Sequence, residues 1–312
     1  MPLASPLAAD LARYGPAGTA APATLDAARA YCRHLARTHY ENFVVASWLL
    51  PGELRQHMAN VYAYCRWADD LADEASSPAA SLALLDWWEA QLDDCYRGAA
   101  RHPVFVALGE TIRQFDIPRE PLADLLVAFR QDQRVTRYET LDELLEYCRY
   151  SANPVGRLVL HLGRCHDEVR GHWADAICTG LQLANFCQDV ARDWDRGRCY
   201  LPKQACQAHG CDQTPFAGRT ATPAFRAVLA WQVDVAESWL RAGQPLIRQM
   251  PRVLAVDVWL FVQGGLAILR AIRRCDYDVW TRRPTVPRWR QLGLLTRALW
   301  WRLLAPVTWV AR

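Results

Sequence analysis

The stretch Gln182-Leu-Ala-Asn185-Phe-Cys-Gln188-Asp189-Val-Ala-Arg-Asp193 reads as a helix with two unlike faces. Asn185, Asp189 and Asp193 stand four residues apart, so they form one polar stripe, while Leu181, Leu183, Phe186 and Val190 occupy the other faces. A row of carboxylates along one helix repels itself and attracts a cation. The bland alternative is a polar helix face turned to water.

The same helical spacing recurs outward from this stretch, and alternating β-branched runs are nearly absent, so the expected fold class is all-α. Breakers such as Pro51-Gly52, Ser76-Ser77-Pro78, His102-Pro103, Asn153-Pro154, Gly197 and Gly243 cut the chain into segments of helical length. With 312 residues, no Ser/Gly-rich linker and no break in composition, one large catalytic domain is expected over residues 25–285. Residues 1–24, rich in Ala and Pro, read as a loose leader, and residues 286–312 as a basic, Trp-rich C-terminal helix.

Composition excludes several classes. A hydrophobic content of 52% with 14 Trp fits a large buried volume rather than disorder. The net charge of +3 is too small to mark a nucleic-acid-binding surface. Eleven cysteines without a C-x-x-C pair, and an N-terminus without signal-peptide order, read as reduced thiols in a cytoplasmic protein. Cys206, Cys211 and His209 lie in a polar connection without a second ligand pair, which argues against zinc. No G-x-G-x-x-G fingerprint is present, and no Ser-His-Asp or Cys-His arrangement rises above isolated residues; His161 and His166 read as packing or surface histidines.

A second acidic set precedes the first by more than a hundred residues: Tyr62-Ala-Tyr-Cys-Arg66-Trp-Ala-Asp69-Asp70-Leu-Ala-Asp73-Glu74. Asp69 and Asp73 share a helix face, with Arg66 and Tyr62 on the preceding turns. A solvated acidic face is the alternative; the apolar run from Met58 to Trp67 just before it argues for a built site. Two such stripes suit Mg²⁺, which takes hard oxygen ligands from a few carboxylates and a substrate's phosphates.

These residues resemble the squalene and phytoene synthase family: a D-x-x-x-D motif at Asp69–Asp73, then N-x-x-x-D-x-x-x-D at Asn185–Asp193 followed by G-R-x-Y-L-P at Gly197–Pro202. Further matches lie at Asp132–Tyr138, Ser151–Gly156 and Ile268–Val279, and the resemblance spans about Tyr31 to Arg283. It implies that Asp69, Asp73, Asp189 and Asp193 bind Mg²⁺, with Asp70 beside them and Asn185 assisting. It implies that Arg66 and Tyr62 meet the diphosphate of a prenyl substrate. His39, Gln182, Gln188, Arg198, Tyr200 and Asn153 complete the implied substrate-contacting set. Two departures limit the transfer: Glu41-Asn42-Phe43 replaces the serine that many members carry before the phenylalanine, and Leu266 replaces a tyrosine.

E-N-F-x-V-A-S-x-L-L-P at Glu41–Pro51 and S-A-N-P-V-G-R at Ser151–Arg157 resemble the bacterial hydroxysqualene synthases of hopanoid biosynthesis. The expected reaction is therefore Mg²⁺-dependent ionisation and rearrangement of presqualene diphosphate, ended by water, to give hydroxysqualene and diphosphate, with NADPH not expected. Head-to-head transfer of farnesyl diphosphate, to presqualene diphosphate or squalene, is the alternative within the family. A Mg²⁺-dependent prenyl-diphosphate hydrolase and a non-catalytic helical binding protein are the alternatives outside it. Trp67, Phe186 and Tyr150 suit either a cavity wall or ordinary packing. Ser151, Asn153 and the proline break could hold one water.

The C-terminal segment has no acid after Asp278, but carries Arg282, Arg283, Arg288, Arg290, Arg297, Arg302 and Arg312 among Leu and Trp. Arginines and Pro306 argue against a spanning helix. The pattern suits peripheral contact with the inner face of a membrane, or a final core helix with an arginine-lined face.

Overall fold

The structure is a computed structural model that describes residues 6–38, 50–212 and 214–303. The fold is all-α; among the described residues no strand occurs, only an isolated parallel bridge between Arg137 and Cys199. The chain falls into two compact units, Met1–Arg134 and Val135–Arg312.

In the first unit, α1 (Pro6–Tyr14) and α2 (Leu25–Thr38) precede α3 (Gly52–Asp73), α4 (Pro78–Tyr96), α5 (Pro103–Phe115) and α6 (Glu120–Asp132). Part of the segment expected as a loose leader is thus a helix. The Tyr31 hydroxyl donates to Asp10 at 2.8 Å and Leu7 is buried, which ties α1 down. The long α3 has one buried face, carrying Asn60, Tyr64, Trp67 and Leu71. Tyr64 donates to the Leu122 carbonyl at 2.7 Å, and Trp67 stacks on Trp88 with centroids 5.1 Å apart. Asn60 donates to the Ala107 carbonyl at 3.0 Å, locking the rotation of α3. Trp67 is therefore a packing residue, joined by the buried His102 in an aromatic cluster.

The second unit runs α7 (Leu141–Ser151), α8 (Asn153–Leu162), α9 (Glu168–Gln188), α10 (Val190–Asp195), α11 (Lys203–Ala208), α12 (Thr214–Ala217), α13 (Pro223–Ala242), α14 (Leu246–Gln249), α15 (Arg252–Arg274) and α16 (Arg288–Leu303). Its centre is α9, packed chiefly by α13, α8 and α15. Close approach requires Gly180, where an added Cβ would come 2.7 Å from the Leu240 backbone nitrogen. One described helix, α15, is long and apolar enough to cross a membrane, yet Leu254, Val258, Val262, Leu266 and Leu269 are buried within the unit, as suits a core helix. Cys206 and Cys211 are buried rather than set in a polar connection, and His209 faces the Ala205 carbonyl through Nδ1 at 2.9 Å. His161 and His166 stack at 4.3 Å.

Candidate active site

The acids of α3 occupy its last turn and a half, with no basic residue in the final turn. That end of a helix already carries partial negative charge from its unsatisfied carbonyls, so each carboxylate there costs about 0.3–1 kcal/mol rather than gaining it. Ser81 Oγ donates to the Leu71 and Ala72 carbonyls at 3.0 and 2.8 Å, and Gln133 donates to the Ala72 carbonyl at 3.0 Å, which fixes the end of the helix without adding positive charge.

Relief comes from Arg66. Its guanidinium donates to Asp70 through Nε at 3.0 Å and through Nη2, and lies 3.4 Å from Asp69. Burial works to lower the Arg66 pKa, but the bond to Asp70 and the charges of Asp70 and Asp69, with a smaller part from Tyr62, together outweigh it, and the guanidinium is held more firmly protonated than usual. Tyr62, half-buried, has its phenol pKa raised by burial first and by Asp70 and Asp69 next, while Arg66 lowers it. Tyr62, Arg66, Asp69 and Asp70 are thus brought together as the sequence predicts; Asp73 lies one turn further on and is exposed.

In the second unit the polar stripe does not lie on one unbroken helix. Asp189 has φ −103° and ψ 15°, ending α9 as its C-cap, and α10 begins at the next residue. At the break Arg283 holds the Asp189 carboxylate: Nε donates to Oδ1 at 2.5 Å and Nη2 donates to Oδ2 at 2.9 Å. The stripe nevertheless survives, because Asp189 N donates to the Asn185 carbonyl and Asp193 N to the Asp189 carbonyl, both at 2.9 Å. Asp189 caps the C-terminus of α9 and the N-terminus of the short α10, so the backbone of the longer helix opposes its charge while that of α10 favours it.

Asp193 follows on α10. Burial, and then the neighbouring Asp189 carboxylate, push its pKa up to about 7, against the opposing pull of Arg196, Arg198 and Arg192. It shares a small cleft with Arg198, Trp194 and Phe186. Gly197, at φ +77°, makes the turn that returns Arg198 N to the Asp193 carbonyl at 2.8 Å. The segment 199–203 then meets the segment 136–138: Cys199 N donates to the Thr136 carbonyl at 2.9 Å and Lys203 N to the Tyr138 carbonyl at 3.1 Å. Tyr200 is buried, its ring stacked on Phe186 with centroids 3.9 Å apart and flanked by Tyr138 and Tyr147.

The remaining predicted residues divide. Asn185 is exposed on the stripe and Gln182 half-buried one turn before it. Gln188 is buried, its amide donating to the Pro284 carbonyl at 2.5 Å and accepting from Arg283 at 2.9 Å. Asn153 is buried at the break between α7 and α8, its Oδ1 accepting from Thr179 at 2.9 Å. Ser151 Oγ, two residues earlier in sequence, is buried and makes no hydrogen bond. His39 and the segment Glu41–Leu49 lie outside the described residues. Arg283 belongs in sequence to the basic C-terminal run, and its position directly before Pro284, at the end of the family resemblance, is the signal that sets it apart.

A family model described as squalene/phytoene synthase matches residues 36–290. The chain belongs to the squalene/phytoene synthase family. Within the family it is 36% identical over 214 residues to the hydroxysqualene synthase of Sinorhizobium fredii, covering 67% of this chain and 71% of that one. It is 29% identical over 290 residues to the phytoene synthase of Arthrospira platensis, covering 89% and 94%. Among solved structures, squalene synthase HpnC from Alicyclobacillus acidocaldarius superposes with a TM-score of 0.78 at 43% identity, covering 81% of this chain and 95% of that one. Enzymes of the squalene/phytoene synthase family process prenyl diphosphates, which accords with two acid sets crowded at helix ends.

Proposed function

We propose that this enzyme ionises presqualene diphosphate and directs water to the rearranged cation, releasing hydroxysqualene and diphosphate. The observation that carries the water step is Ser151: a buried hydroxyl that makes no hydrogen bond, at a helix break made by Pro154. A buried hydroxyl left unsatisfied costs about 1–3 kcal/mol, and a water accepting from it removes that cost. The greater identity to a hydroxysqualene synthase, 36% against 29% for a phytoene synthase, supports the same product.

The donor set fits Mg²⁺. Among the described residues no three His, Cys, Asp or Glu side chains form a ready cage, and Mg²⁺ does not need one, since it keeps waters and takes phosphate oxygens. The residues proposed to hold it are Asp69, Asp70, Asp73, Asn185, Asp189 and Asp193, whose crowding at helix ends and whose raised Asp193 pKa a cation would relieve. When bound, Mg²⁺ supplies charge neutralisation for the leaving diphosphate.

The chain's own groups do the rest. Arg66, with Tyr62 beside it, and Arg198 supply fixed positive charge and donors to diphosphate oxygens, stabilising the charge that develops as the C–O bond breaks and its electron pair leaves with diphosphate. His39, Gln182 and Tyr200 are proposed as substrate contacts with Asn153, while Gln188 fixes Arg283. The cyclopropylcarbinyl cation rearranges away from bulk water. Water adds at the final carbon, and its proton passes to diphosphate, the base produced in the same turnover. No hydride is consumed, so the reaction as written needs no NADPH.

Carrying out turnover in oxygen-18 water tests the capture step. The alcohol should carry the label at its hydroxyl, and an unlabelled alcohol or a purely hydrocarbon product would refute it. Head-to-head condensation remains the second reading, favoured by the 29% match that runs over 89% of this chain. It predicts consumption of farnesyl diphosphate.

A further inference from the structure

The end of α15 and the adjoining α16 carry a surface that the proposed chemistry does not use. On α16, Trp289, Leu292 and Trp300 are 68%, 62% and 65% exposed. Their spacing of three and then eight residues puts them on one face, with Gly293 and Thr296 between. The helix is anchored: Ala298, on the opposite side, is fully buried, and on the flank the Arg297 guanidinium lies 5.8 Å from the centre of the Trp259 ring on α15. The exposed face is therefore presented by a packed helix.

Arginines border it. Arg290 lies over Trp289 at 4.9 Å, and on α15 both Arg270 and Arg274 are exposed. Burial, then Arg290, lower the Arg270 pKa, with Arg274 and Arg241 adding to the effect. Glu237, the acid that pulls the other way, is already held by Arg241 and Arg273. No acid occurs after Asp278. The patch thus combines large apolar side chains with positive charge that, among the described residues, forms no salt bridge with a carboxylate.

We propose that this patch docks the enzyme on an anionic bilayer surface, with Trp289, Leu292 and Trp300 entering the headgroup region and Arg270, Arg274 and Arg290 meeting lipid phosphates. Charge complementarity selects this occupant, since a second copy of the chain would bring arginine against arginine. The helix lies along the surface and does not cross it, because its other face is committed to α15. Such a surface is what a cytoplasmic leaflet presents, and it is where a greasy diphosphate arrives and its product departs.

Sedimentation of the full chain with vesicles of phosphatidylcholine, alone or mixed with phosphatidylglycerol, tests this directly. Binding should strengthen about tenfold or more when phosphatidylglycerol is added, and added salt should reverse it. The double variant Arg270→Gln/Arg290→Gln should lose that gain, and Trp289→Gln/Trp300→Gln should weaken binding to both vesicle types. Melting temperature and turnover of detergent-dispersed substrate should stay at wild-type values in both, since Arg270, Trp289 and Trp300 are exposed, Arg290 is half-buried, and all four lie outside the chemistry. Equal binding with and without phosphatidylglycerol, no binding at all, or a concentration-dependent dimer abolished by the tryptophan variant would overturn the proposal.

Discussion

Arg283 grips Asp189 with two hydrogen bonds, of 2.5 and 2.9 Å, and reaches Gln188 with a third at 2.9 Å. The pairing holds positive charge against the acid that joins the end of α9 to the start of α10. It raises the Arg283 pKa, first through the bond to Asp189, and leaves the Asp189 side chain only 12% exposed. Replacing Arg283 with Ala should lower the stability of metal-free protein by about 1–3 kcal/mol, because a mostly buried carboxylate loses its donor. Thermal unfolding would show this, and Mg²⁺ with inorganic diphosphate should recover most of the loss. A variant as stable as wild type without metal would contradict the role given to Arg283.

The acids themselves carry the next expectation. Asp69→Asn and Asp189→Asn keep shape and remove charge, so helical content should persist while turnover falls by about a hundredfold or more. Circular dichroism and steady-state rates on the same samples separate the two effects. Wild-type turnover in both variants would exclude these residues from metal binding.

Asp193 gives a pH-dependent test. Its folded pKa stands near 7, raised from 3.8, so the folded state holds the proton longer than the unfolded chain. Stability from this residue is therefore fully present below 3.8 and is lost as pH rises through 7. In metal-free protein, Asp193→Asn should raise the melting temperature above pH 7 and change it little in mild acid, while abolishing turnover. A melting temperature lowered by the substitution at alkaline pH would show that the carboxylate is paired rather than crowded.

His102 tests the first unit in the opposite direction. Burial among Trp67, Trp87, Trp88 and Phe105 drops its pKa from 6.5 to about 3, so the folded protein refuses a proton that the unfolded chain accepts. Its contribution is complete above 6.5 and is lost as pH falls toward 3. His102→Asn keeps an acceptor for the Val104 N–H and should flatten the loss of stability over that interval, as measured by urea unfolding at stepped pH. An unchanged pH slope would contradict a neutral, buried His102.

The all-helical class and the two acid stripes were legible because both rest on local spacing: four residues separate Asp69 from Asp73 and Asn185 from Asp189 whatever the tertiary structure. The salt bridge from Arg66 to Asp70 follows from the same periodicity. What the sequence hid depends on distant partners. The partner of the Asp189 carboxylate is Arg283, 94 positions away, and the burial of Tyr200 depends on rings from Tyr138, Tyr147 and Phe186. The helix at Pro6–Tyr14 escaped notice because its tether, Tyr31 to Asp10, crosses 21 positions and leaves little mark on a short Ala-rich segment.

The central claim is that water, rather than hydride, ends the reaction. Purified protein with Mg²⁺ and presqualene diphosphate, without NADPH, should release diphosphate and yield hydroxysqualene by mass spectrometry, and Ser151→Ala should lower the share of alcohol among the products. Squalene formed only when NADPH is present, with no alcohol in its absence, would contradict the account.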